Sequence, residues 1–186
     1  AEQLQQFPQL DVIGVAGKTR ALSPVQMEEI LIPAFEQLKA SGAKQVHYKV
    51  CSTFDSSSAI GSIGKAIDCG AEVFQNKLIP VLGGAPSLGR YCVFGNLFAR
   101  MGIGSNGKIY RLDRHPSMSK HPVTPADESD LRLHIGKLTE KKIGLIDITQ
   151  IEQPIEQWTA LLTDEEVVLV DVMDEKQLER IGEWMQ

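Results

Sequence analysis

Short apolar runs alternate with amphipathic stretches along nearly the whole chain, and this alternation constrains the fold more than any other feature. Asp11–Ala16 (DVIGVA), Val46–Cys51 (VHYKVC), Leu78–Leu82, Ile143–Ile148 (IGLIDI) and Val167–Val172 (VVLVDV) are brief and largely β-branched, as strands covered on both faces are. Between them lie helical patterns. Ser23-Pro24 supplies an N-cap and a favourable first residue for a helix to about Ala40, closed by Gly42. Ile60–Gln75, Asp127–Leu138, Ile155–Leu162 and Glu175–Met185 also read as helices. Tyr91–Ala99 and Lys108–Leu112 have strand-like composition on either side of a glycine-rich turn, Gly102–Gly107. Arg114–Pro125 holds Pro116, Pro122 and Pro125, so it joins neither a helix nor a central strand and is expected to cross the surface. Strands alternating with helices predict an α/β fold: a mainly parallel sheet with helices on both faces. At 186 residues this is expected to be one domain, 1–186.

Charge and cysteine usage narrow the function classes. With 19 Lys and Arg against 24 Asp and Glu, the formal net charge is −5, which disfavours nucleic acid as a partner. An anionic small molecule remains compatible, provided cations are concentrated locally. No apolar run reaches membrane-spanning length and no signal-like segment opens the chain, so a cytoplasmic protein without a membrane partner is expected. Cys51, Cys69 and Cys92 form no CxxC pair, and His47, His115, His121 and His134 lack HExxH spacing. No protein-bound metal is expected.

In parallel sheets, ligands bind beyond the C-terminal strand ends. At the first such junction Val12–Thr19 (VIGVAGKT) falls one residue short of a P-loop, because Val12 occupies the first glycine position. The helix also starts too late, at Ser23-Pro24, so a strand ending in a turn is the better reading. Lys18-Thr19-Arg20 still places cations there. At the second junction, Lys49–Ser58 (KVCSTFDSSS) sets hydroxyls and one aspartate just ahead of a helix, whose free N–H groups suit a carboxylate or phosphate. Serine N-capping explains the same letters.

The string itself adds more. His47–Asp68 resembles the K-x-C-S-T-F-D-S block of the four-carbon acid sugar kinase family. Lys18-Thr19-Arg20 is similar to that family's K-[ST]-R. Gly89-Arg90 through Gly95-Asn96-Leu97-Phe98 resembles its G-R-x-x-x-x-G-x-L-F segment, and His121–Pro125 matches H-P-[LV]-T-P. Together the blocks cover about residues 11–139.

The resemblance implies a substrate-binding domain of an ATP-dependent kinase that phosphorylates a terminal hydroxyl of erythronate- or threonate-like acids. Arg20 and Lys49 are the expected carboxylate clamp, a role suited to arginine. Ser52, Thr53 and Asp55 are expected to bond substrate hydroxyls. Arg90 and Asn96 would line the pocket, and His121 or Thr124 would wall it, within contact distance of Lys49–Asp55. No catalytic residue is assigned, and Cys51 is read as a small buried thiol rather than a nucleophile. His115 reads as a surface residue and His134 as structural or solvated.

The family's opening strand with its Asp-Asp-x-Thr-Gly motif has no counterpart here, and no glycine-rich nucleotide-binding half follows. The chain is therefore expected to be a fragment, a split-gene product or a degenerate relative. ATP and Mg²⁺ would belong to the parent kinase, with no cofactor on this chain, and the partner would be the C-terminal nucleotide-binding domain. A stand-alone sugar-acid-binding or regulatory module is the alternative, and a homo-oligomer stays open.

Overall fold

The computed structural model describes residues 10–102 and 106–186. The start signal of the first helix behaves as the sequence predicts. Helix α1, Pro24–Ala40, begins at a full capping box, with Ser23 Oγ accepting from Gln26 N–H and Gln26 Oε1 accepting from Ser23 N–H. It runs through Pro33, which faces solvent, while Met27, Leu31 and Phe35 line its buried face. Helix α2, Ile63–Phe74, is capped by Ser62 and stops at Gln75, whose φ is 57°.

Strands β1 (Ile79–Leu82), β5 (Ile143–Ile146) and β6 (Val167–Val170) form a parallel sheet in the order β1-β6-β5. In register, Ile79 and Ile143 both pair with Val167. All four residues of β6 are fully buried, as a central strand requires. Its alternate side chains go to opposite layers. Val167 and Leu169 pack with Ile63 and Ile67 of α2 and with Leu131 and Ile135 of α3, Leu131–Gly136. Val168 and Val170 pack with Trp158 of α4, Ile155–Trp158, and with Ile181 of α5, Glu175–Trp184. The fold is thus α/β with helices on both faces of the parallel sheet.

Three of the predicted strands differ. Asp11–Ala16 and Val46–Cys51 pair with no strand among the described residues. The side-chain alternation of the second is real: Val46, Tyr48 and Val50 pack inward while His47 and Lys49 are exposed. Alternation is a property of side chains, whereas a ladder needs a backbone partner. Tyr91–Ala99 is two strands, β2 (Arg90–Val93) and β3 (Asn96–Arg100), which with β4 (Ile109–Arg111) make a separate antiparallel sheet. Phe94 and Gly95, both at positive φ, form the two-residue turn between β2 and β3. The predicted Gly102–Gly107 turn lies partly outside the described residues.

The β2–β3 hairpin is fastened to the chain just beyond β6 by a backbone bridge between Cys92 and Val172, at 2.8 and 3.1 Å, and at its turn by one buried carboxylate. Asp171 accepts hydrogen bonds from the N–H groups of Phe94, Gly95 and Ile148. The proline-rich stretch contains short 3-10 turns at Leu112–Arg114 and Met118–Lys120 and no α-helix. It is not wholly superficial, because within it His115 and Thr124 are buried and Met118 packs against the core cluster of Phe54 and Val50.

Candidate functional site

The site is built on a tight turn at Cys51–Phe54, closed by a 2.9 Å bond from Phe54 N–H to the Cys51 carbonyl. Phe54 sits at φ 52°, in the left-handed region that is costly for a bulky residue. Packing holds it there: the ring is 3% exposed in the cluster that includes Ile63, Ile67, Leu131 and Ile135. The consequence is that Thr53 and Asp55, on either side of Phe54, are both buried.

Asp55 is the hub. Thr53 Oγ1 donates to its Oδ1 at 2.6 Å, and the Cys51 thiol donates to its Oδ2 at 3.3 Å. Arg20, on a single 3-10 turn (Thr19–Ala21), forms an ion pair with Oδ2. Cys51 is therefore not a purely apolar thiol, since it lies half-buried among these polar groups.

Arg90, at the start of β2, is 6% exposed. Its Nη1 donates to the carbonyls of Leu88 at 3.0 Å, Gly89 at 3.4 Å and Arg100 at 3.1 Å. Its Nε is buried with no hydrogen-bond partner. Burial draws the guanidinium below its ordinary pKa, while Cys51 and Asp55 oppose that pull, so Arg90 borders the same cluster. His115 lies near enough to feel its charge. This residue is buried rather than superficial, its Nδ1 accepting from the amides of Ser117 and Met118 at 3.3 Å. Burial and the Arg90 charge hold His115 below its usual pKa, hence neutral at pH 7. Arg20 pairs with Asp55 directly and Arg90 acts on the same carboxylate through its charge alone, so two cations stand against one anion among these residues.

The structure therefore gathers Arg20, Thr53, Asp55 and Arg90. Ser52 is in the same turn, half-buried. Lys49 is exposed on the segment entering it. Asn96 lies at the turn end of the β2–β3 hairpin, three residue pairs from Arg90. It accepts from Ser129 Oγ at 2.8 Å and donates to the Phe94 carbonyl at 3.1 Å. His121 Nδ1 accepts from Thr124 N–H at 3.1 Å, with Thr124 Oγ1 also at 3.1 Å.

The helix N-terminus expected at this junction is elsewhere. Helix α2 starts only at Ile63, and two of its first-turn donors are taken: Ile63 N–H by Ser56 Oγ at 2.9 Å, Lys65 N–H by Ser62 Oγ at 3.1 Å. The positive charge at this turn comes from arginine rather than from a helix end. Sequence reasoning also passed over Gly61, a glycine preceding a helix, and over Phe54, for whose positive φ no local signal exists.

A groove of about 1450 Å³ opens between residues 10–17, helix α1 and residues 41–49. Thr19 and Lys49 reach it, but Asp55 and Arg90 do not line it, and its walls are mainly apolar side chains and backbone. Among the described residues no group of three or more His, Cys, Asp or Glu could hold a metal ion. No described helix is long and apolar enough to cross a membrane.

The chain is 46% identical over 185 residues to the 3-oxo-isoapionate kinase of Paraburkholderia graminis, covering 97% of this chain and 38% of that one. It is 32% identical to a 3-oxo-tetronate kinase of Methylobacterium radiotolerans, covering 84% of this chain and 34% of that one. It thus spans less than two fifths of either relative. A Haemophilus influenzae protein of the DUF1537 family shares the fold at a TM-score of 0.80 and 23% identity, covering 95% of this chain and 42% of that one. A Bordetella bronchiseptica domain, solved with bound citrate as a domain-swapped dimer, matches at a TM-score of 0.70 and 24% identity, over 97% of this chain and 42% of that one. Residues 1–186 match the family described as the sugar-binding N-terminal domain, and the chain belongs to that family.

Proposed function

We propose that this domain binds a small sugar acid by its carboxylate at the Arg20–Asp55–Arg90 cluster, as the substrate-recognising half of an ATP-dependent sugar-acid kinase. The observation that carries the proposal is the charge surplus: two arginines, one of them buried with an unpartnered Nε, against one aspartate. A ligand carboxylate supplies the missing negative charge in geometry suited to guanidinium. Thr53, Ser52 and Asp55 then bond the hydroxyls. Lys49, Asn96, His121 and Thr124 are proposed to complete the pocket as the substrate is enclosed.

The relatives' names favour 3-oxo acids of the tetronate or isoapionate type over erythronate or threonate. Citrate on the Bordetella bronchiseptica neighbour, a hydroxylated carboxylic acid, is consistent with this chemistry. The residues here do not fit a nucleotide. Gly14 and Gly17 lie on an exposed, irregular segment, and α1 begins only at Pro24, so no phosphate cradle forms. In this reading ATP and Mg²⁺ bind a C-terminal half of the parent kinase, and phosphoryl transfer requires that half.

Calorimetric titration of the chain with 3-oxo-tetronate, and with erythritol as the uncharged control, tests the proposal. Binding of the acid alone is expected, weakened about tenfold or more in Arg20→Ala. Equal binding of acid and polyol, or none of the acid, refutes it.

A further inference from the structure

We propose that Gly61 is a positioning residue for Arg20, fixing the backbone from which that guanidinium reaches the sugar acid; the inference rests on the binding role given to Arg20 above. The Arg20 side chain is 61% exposed. An ion pair with so exposed a partner adds little rigidity of its own, so the aim of the side chain must come from the backbone beneath it. That backbone is one short 3-10 turn, Thr19–Ala21, with no side-chain cap.

Two contacts hold the turn. On one side, Thr19 Oγ1 and the Tyr48 hydroxyl are 2.7 Å apart. On the other lies Gly61, buried and at φ 61°. Its N–H donates to the Leu22 carbonyl at 2.9 Å. Its missing side chain lets the turn approach: a Cβ there would lie 2.5 Å from the Arg20 carbonyl oxygen and 3.2 Å from its Cα. Both are backbone atoms, so no rotamer change relieves the clash, and the turn must move. Positive φ adds to the demand for glycine. Gly61 is itself braced, because Ser57 N–H donates to the Ile60 carbonyl at 3.0 Å and Ser57 Oγ accepts from Ile60 N–H at 3.0 Å. The Ser57–Gly61 loop thus acts as a fixed wall that sets where Arg20 stands relative to Asp55.

The test is a double-mutant cycle on this chain, titrated with 3-oxo-tetronate and followed in parallel by thermal melting. Gly61→Ala is expected to weaken binding about tenfold, and to add less than about twofold once Arg20→Ala is present. A merely structural glycine would lower Tm and cost the same affinity in both backgrounds, and that result overturns the proposal. So does unchanged affinity in Gly61→Ala. If Arg20→Ala itself leaves affinity unchanged, the carboxylate-binding role has failed and this inference falls with it, whereas a strong Arg20→Ala effect beside a silent Gly61→Ala removes only the latter. Should Gly61→Ala not fold, Tyr48→Phe loosens the turn from its other side. A loss of about threefold is then expected with Arg20 present and none without it, and equal losses in both backgrounds refute the positioning role.

Discussion

Replacing Asp171 with alanine should loosen the turn of the hairpin that carries Arg90, which the Cys92–Val172 backbone bridge still holds, and its cost can be worked from three hydrogen bonds. The carboxylate has no exposed surface, and Oδ1 accepts from Gly95 N–H at 2.9 Å. Oδ2 accepts from Phe94 N–H and, at 2.9 Å, from Ile148 N–H. In Asp171→Ala the buried Gly95 N–H loses its acceptor, which costs about 1–3 kcal/mol. The other two donors are only partly buried and can turn to water, at about 1 kcal/mol each. Against this, alanine removes the desolvation of a carboxyl whose pKa burial pushes up. The net loss should be about 3 kcal/mol, a large share of the stability of an ordinary domain, about 5–15 kcal/mol. Asp171→Asn, which keeps one acceptor oxygen at the two-donor position, should lose about 2 kcal/mol. Urea unfolding followed by circular dichroism measures both. A loss below about 1 kcal/mol in Asp171→Ala, or asparagine costing more than alanine, would show that the clamp does not hold the turn.

Two further outcomes follow from the same geometry. His115 and His134 are both held below the ordinary histidine value, chiefly by burial. The unfolded chain therefore binds more protons than the folded one once pH falls below about 6.5, so their contribution is complete above that pH and lost as the pH drops through the folded values. The urea midpoint should decline between about pH 7 and pH 5, and less steeply in His115→Gln/His134→Gln; a flat wild-type midpoint contradicts the assignment. Arg90→Lys retains the charge but not the planar fork, and should weaken 3-oxo-tetronate binding about tenfold. Unchanged affinity would make Arg90 a purely structural cation.

Local chemistry made much of this protein legible in its sequence. Ser23-Pro24 places the start of α1, because a cap and a fixed φ act within one turn of backbone. The run VVLV marks β6 as the buried centre of the sheet. The K-x-C-S-T-F-D-S string pointed to the turn that holds Thr53 and Asp55, and the comparisons place the whole chain in a sugar-binding family. What depends on distant partners was not legible. Asp127–Leu138 shortens to Leu131–Gly136 because Asp130 caps the helix and Ser129 is spent on Asn96. Val46–Cys51 has strand patterning but no ladder, since a neighbouring backbone decides that. Arg20 and Asp55 are 35 residues apart, and their pairing arises only because Phe54 is packed into the core at a positive φ and turns Asp55 inward. The same holds for Arg90, whose motif named the residue but not its burial. Caps and periodicities are set by the chemistry of a few adjacent residues, whereas the charge balance of a site is set by which remote side chains packing brings out of water together.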